Sequence, residues 1–163
     1  SSIIDLLIYR ETILRGRRVF LDYRNNPGMQ KVDYESLDSE AREYLEKAEL
    51  VSVLRMKANG DAILRKMDKL YLHNPNIAYV LSGEKPETGN ARETIFYCWT
   101  KQKYETLESP VSDFEIEGKT FEVGGRKKGK KQIEYVKDGY LVKDNTEYVF
   151  DNQVPLWMFG FLY

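Results

Sequence analysis

The alternation Asp113-Phe114-Glu115-Ile116, the dipeptide Glu117-Gly118 and the return Lys119-Thr120-Phe121-Glu122-Val123-Gly124 constrain this chain most strongly. Two short period-2 runs joined by a two-residue glycine turn predict a β-hairpin. Its register sends Phe114, Ile116, Phe121 and Val123 to one face and Asp113, Glu115, Glu122 and Gly124 to the other. One face is therefore a core face. The other brings carboxylates from adjacent strands together, and the default reading of such acids is a solvated surface.

The segments around the hairpin extend the pattern. Asn90 begins a predicted helix with Ile95, Phe96 and Trp99 on one stripe, and Asn90 with Glu93 three residues on has capping-box spacing. Strands are predicted over Tyr104 to Glu108, Asp113 to Ile116, Lys119 to Val123, Gly139 to Val142 and about Thr146 to Phe150, with a basic, partly helical stretch from Gly129 to Val136. The order is helix, three strands, helix, strand. This predicts an α/β (α+β) fold, a small mixed sheet with flanking helices. The ending Val154-Pro155-Leu156-Trp157-Met158-Phe159-Gly160-Phe161-Leu162-Tyr163 is apolar enough to pack on the core or on a partner.

Upstream, apolar residues Ile3, Leu7, Leu14 and Leu21 lie near helical spacing up to the turn cluster Asn25-Asn26-Pro27-Gly28. A second helix carries Leu37, Ala41, Tyr44, Leu45 and Ala48 on one stripe. Leu50 to Arg55 and Ala62 to Arg65 then read as a strand and its return, and Lys69 to Leu72 as a further strand. Helices followed by a hairpin give a winged-helix-like reading for residues 1–82. The polar stretch from Gly83 to Gly89 is the expected linker, and 90–163 the α/β domain.

Hydrophobic residues are 42% and charged residues 31% of the 163, an ordinary globular balance. The net charge of −1 hides a local cluster of Arg126, Lys127, Lys128, Lys130 and Lys131 after Gly124-Gly125. Cations beside glycines that allow close approach suit a phosphate backbone, although a solvated loop has the same composition. One cysteine, Cys98, excludes an internal disulfide, and no apolar run is long enough to span a membrane, so a cytoplasmic protein is expected. His73 has no second histidine to complete a zinc site, so His73 and Cys98 read as structural residues. A GxxxxGK(S/T) loop is missing, so this chain is not expected to bind ATP by itself.

The element order, an acid on the second strand and Phe121-Glu122-Val123-Gly124-Gly125-Arg126-Lys127-Lys128 on and after the third resemble the PD-(D/E)xK, restriction-endonuclease-like core. Lys69-Leu70-Tyr71-Leu72-His73-Asn74, Arg92-Glu93-Thr94-Ile95-Phe96, Phe121 to Gly125 and the apolar C-terminus resemble the region that follows the ATPase module and a winged-helix segment in a family of prokaryotic AAA+ ATPases. The resemblance covers about Leu50 to Tyr163. It implies that Asp113 and Glu122 are metal-binding acids, that Glu93 is the acid of the first helix, that Mg²⁺ is the cofactor, and that ATP hydrolysis belongs to an N-terminal module absent here. Gln132 falls near a helix position that carries a polar, site-facing residue in this core.

The pattern departs from the core at one place. The catalytic lysine is expected two residues after the second acid, where Gly124 stands, leaving Lys127 or Lys128 to reach back over the glycines. The leading expectation is therefore a DNA-directed accessory region with a degenerate nuclease-like site. The alternatives are an active Mg²⁺-dependent nuclease, and a regulatory domain that docks on its own ATPase module, or pairs with a second copy, through Trp157 and Phe159.

Overall fold

The computed structural model describes residues 43, 45–56, 69–77, 88–125, 128–129 and 132–162. The expectations for residues 1–42, the return strand Ala62 to Arg65, and Arg126, Lys127, Lys130 and Lys131 lie outside the described residues. The structure is mixed α/β. Its strands are β1 (Val51–Leu54), β2 (Lys69–Leu72), β3 (Thr106–Glu108), β4 (Phe114–Ile116), β5 (Lys119–Gly124), β6 (Gly139–Lys143) and β7 (Gln153–Pro155). The helix α1 (Thr88–Thr100) precedes β3, and a 3₁₀ helix (Leu156–Phe161) follows β7.

β3, β4 and β5 form an antiparallel meander, and β6 and β7 then add in parallel, giving the order β3-β4-β5-β6-β7. The hairpin forms as the sequence predicts. Ile116 pairs with Lys119, and Glu117 and Gly118 both take positive φ, the backbone that lets a two-residue turn follow the strand twist. Phe114, Ile116, Phe121 and Val123 are all buried in one cluster with Phe96, Tyr97 and Val142. Phe96 is the hub, with ring centroids 4.9 Å from Phe114, 5.5 Å from Phe121 and 4.7 Å from Phe159.

Three expectations are corrected. α1 begins at Thr88, inside the predicted linker, so Asn90 lies within its first turn and is buried instead of capping it. The crossover before β6 runs as turns at Gln132–Tyr135, because its bonds are of the short i to i+3 kind, Val136 N–H to Ile133 O and Gly139 N–H to Val136 O. A side chain at Gly139 would stand 3.1 Å from Ile133 Cβ and from both of those carbonyl oxygens, so the chain enters β6 through a tight approach. No strand forms over Thr146 to Phe150, where Tyr148, Val149 and Phe150 are exposed. The last strand comes after a reversal in which Phe150 and Gln153 exchange backbone hydrogen bonds around Asp151 at φ 55°.

Lys69 to Leu72 forms the strand expected of it, and its partner is β1. β1 pairs antiparallel with β2, Val51 facing Leu72 and Leu54 facing Lys69. Leu54 and Tyr71 belong to the same core cluster as Phe96 and Phe114, and the Tyr97 hydroxyl donates to Val53 O at 2.8 Å. The two-stranded sheet thus shares its core with the five-stranded one. Its remaining apolar side chains, Val51, Val53 and Leu70, pack with Leu45, which follows helical Glu43.

Candidate functional site

Extending the Phe114–Phe121 register by one residue sets Asp113 opposite Glu122. Burial separates their environments from the solvated face that alternation suggests by default. Glu122 is fully buried. A buried carboxylate costs several kcal/mol unless donors surround it, and three do so here. Ser112 Oγ donates to Oε2, the Lys128 ammonium pairs with Oε1, and the side-chain amide of Gln132 donates to the carboxylate, 3.3 Å from Oε2. Ser112 is placed by the turn before β4, where Ser109 Oγ accepts from the Val111 and Ser112 N–H groups at 3.3 and 3.2 Å.

Lys128 explains why position 124 is glycine. A Cβ on Gly124 would lie 2.5 Å from Lys128 Cγ and 2.6 Å from its Cβ, so the lysine stem occupies the space a side chain would need. The chain folds back after Gly125, with Lys128 N–H donating to Gly125 O at 2.9 Å, and delivers the ammonium to the acid on β5. Burial works against the Lys128 charge, but the hydrogen bond and charge of Glu122, with the charges of Asp113 and Glu93, outweigh it and raise its pKa. Lys128 is a fixed cation at neutral pH. Gly125 in turn leaves room for Arg92, whose guanidinium would lie 3.0 Å from a Cβ there and which pairs with Asp144.

Asp113 accepts from Val123 N–H through Oδ2 at 2.8 Å. Burial, and then the charge of Glu93, push its carboxyl up to about 7, with Glu122 adding to the shift and the Val123 N–H and Lys128 opposing it. Glu93 on α1 accepts from the Tyr71 hydroxyl at 2.9 Å. Burial first, then the Glu93 charge and hydrogen bond, raise the Tyr71 pKa far above the usual range, so the phenol is a permanent donor.

Of the residues singled out from the sequence, the structure brings together Asp113, Glu122 and Lys128, with Glu93 in electrostatic reach and Gln132 on Glu122. Among the described residues no group of three or more His, Cys, Asp or Glu is arranged to hold a metal ion. Asp113 and Glu122 are hard oxygen donors on neighbouring strands, and Mg²⁺ needs only one or two carboxylates beside water and phosphate oxygens. Both offer oxygen donors of the kind that Mg²⁺ takes. Ser112 and Tyr71 could not be anticipated. Each becomes relevant only through the pairing of distant segments, Tyr71 with Glu93 across 22 residues.

The apolar C-terminus divides. Leu156 is buried and Phe159 packs on Phe96 and Phe121, whereas Trp157 and Phe161 are exposed and meet edge-to-face with centroids 6.0 Å apart. The Trp157 indole N–H donates to Thr146 O at 3.1 Å. Among the described residues no helix is long and apolar enough to cross a membrane. Comparison of the chain with protein-family models, with curated proteins and with solved structures gave no match in any of the three.

Proposed function

We propose that the chain carries a Mg²⁺-dependent phosphodiesterase site of the PD-(D/E)xK type that acts on nucleic acid. The observation that carries this reading is the Lys128 ammonium on Glu122, reached across Gly124. The motive for a binding-only, degenerate site was a lysine missing from β5, and the lysine instead arrives from the following loop. A helix, an antiparallel meander and a parallel crossover, with Glu122 on the third strand and Asp113 one residue before the second, also support the reading. A Mg²⁺ ion bound at Asp113 and Glu122 would act as a Lewis acid on the phosphate and lower the pKa of its bound water.

The chain's own residues have separate tasks in this account. Ser112 and Gln132 orient the Glu122 carboxylate, and the Tyr71 hydroxyl fixes Glu93 beside Asp113. Lys128, protonated at neutral pH, is placed to stabilise negative charge on the phosphate and is unsuited to act as a base. The basic residues Arg126, Lys127, Lys130 and Lys131 adjoin Lys128 in sequence and support a DNA-facing loop. The AAA+ setting remains part of the proposal through the sequence resemblance, with exposed Trp157 and Phe161 as the apolar surface available to an ATPase module or a second copy.

The test is incubation of the chain with Mg²⁺ and linear duplex DNA. Cleavage is expected, and it should disappear with chelator and in Glu122→Gln. Cleavage that persists in Glu122→Gln, or its absence from the wild-type chain on duplex and single-stranded DNA and RNA alike, rejects the assignment.

A further inference from the structure

A second polar cluster lies at the C-terminal end of α1, about 12 Å of helical rise beyond Glu93. Glu93, Tyr97 and Lys101 follow i, i+4, i+8 spacing, and each meets the β1–β2 sheet or the residue after it. Glu93 holds Tyr71, Tyr97 holds Val53 O, and Lys101 reaches Ser52 and His73. The Lys101 ammonium lies 2.5 Å from Ser52 Oγ and 2.9 Å from His73 Nδ1, and the last two atoms are 3.1 Å apart. The Tyr97 ring centroid lies 5.7 Å from the ammonium. Cys98 Sγ donates to His73 O at 2.7 Å, which anchors the histidine backbone.

Donors outnumber acceptors within this cluster. An ammonium offers three donors, a hydroxyl one and a neutral imidazole one, while the internal acceptors are the serine oxygen and one ring nitrogen. If Lys101 donates to both acceptors, one donor is left on each of the three residues. If Ser52 donates to His73, two remain on Lys101 and one on the ring. Three donor hydrogens are left over either way. No carboxylate pairs with Lys101 among the described residues. Cys98, Glu49 and Glu46 act on it only through their fields, and Glu46 is held by Arg55 at 3.2 Å. Burial is the leading cause that lowers the pKa of both Lys101 and His73, and the Lys101 charge adds to it for His73.

We propose that Ser52, Lys101 and His73 form an oxyanion site that takes a phosphate group. The ammonium and the hydroxyl lie side by side, with His73 Nδ1 holding the ammonium in place, and such donors suit the differently directed oxygens of a tetrahedral phosphate better than the two coplanar oxygens of a carboxylate. The phosphate has two chemical sources, a free phosphate ion or the backbone of a nucleic acid strand lying along α1. Only the second rests on the nuclease reading.

His73 is the sole histidine of the chain, so its ring resonances report this site alone. The experiment titrates the metal-free protein, in chelator and at constant ionic strength, with inorganic phosphate and separately with a short single-stranded oligonucleotide. With phosphate the His73 ring signals should move saturably, the movement should vanish in Lys101→Met, and Ser52→Ala should weaken the affinity at least several-fold. A matching shift with the oligonucleotide assigns the site to backbone phosphate. A shift with inorganic phosphate alone supports the site and assigns it to a free ion. No saturable shift in the wild-type protein overturns the proposal without need of any variant, and so does a shift that survives in a folded Lys101→Met. Because metal is excluded, failure here leaves the Asp113–Glu122 assignment standing, and loss of cleavage in that test leaves this one standing.

Discussion

Two lysines, each brought by the fold to a half-buried polar cluster, have opposite surroundings. Lys128 meets the carboxylate of Glu122 within the fields of Asp113 and Glu93, and its pKa is raised. Lys101 meets a hydroxyl and an imidazole, with burial as the leading influence, and its pKa is lowered. The first cluster holds more acids than cations, while the second holds more donors than acceptors. Residue type alone carried no hint of this division, since desolvation acts on both lysines and only the neighbours decide which way the balance falls.

The largest effect that can break this contrast is at Lys128. Replacing it with methionine should lower Mg²⁺-dependent cleavage by about 10²- to 10³-fold, the usual loss when one charge-stabilising donor is removed. Single-turnover cleavage rates, with a circular-dichroism melt as the folding control, decide it. A rate equal to the wild type would show that Lys128 merely balances Glu122. Next comes Gly124→Ala, whose methyl meets the Lys128 stem at 2.5 Å and should displace the ammonium. A loss of at least roughly tenfold in cleavage is expected, and Gly124→Lys combined with Lys128→Gly, which restores an in-strand lysine, should recover part of it.

A third prediction concerns pH. Asp113 holds its proton up to about 7 in the fold against an ordinary value of 3.8. The folded chain therefore binds the extra proton between those limits, and this group's contribution to stability is complete below the lower limit and lost as pH rises through the upper one. Asp113→Asn should remove that slope. Its melting temperature should exceed the wild type by roughly 5 °C at pH 8 and converge with it near pH 4. Parallel curves would show that Asp113 is not held in a proton-retaining environment. The smallest effect belongs to Tyr71→Phe, which removes the donor to Glu93 and should cost about 1 kcal/mol in denaturant unfolding, with cleavage reduced only a few-fold. A change as large as that of Lys128→Met would move Tyr71 into the site itself.

Much of the fold was legible where short-range chemistry decides it. The Glu117-Gly118 turn and the period-2 runs beside it specify the hairpin, its register and its core face, because two positive-φ residues and a buried face leave no alternative pairing. Asp113 and Glu122 were legible as a facing pair for the same reason. Their environment was not. Alternation suggested solvent on that face, but Ser112, Lys128 and Gln132 close over Glu122 from segments that the strand pattern does not describe. The exposed Tyr148-Val149-Phe150 run misled in the opposite direction, since β-propensity records fitness for a pleated surface and cannot show whether a neighbouring strand is present.

By itself the sequence determined the hairpin, the acids that face one another across it and the lack of a lysine at position 124. Only the tertiary structure decided that β1 pairs with β2 over the same core, that Lys128 fills the space above Gly124, and that Ser52, His73 and Lys101 meet. The physical reason is range. Turn geometry and side-chain periodicity act over a few residues, whereas Ser52 and Lys101 are 49 residues apart and approach only because α1 packs on the β1–β2 sheet.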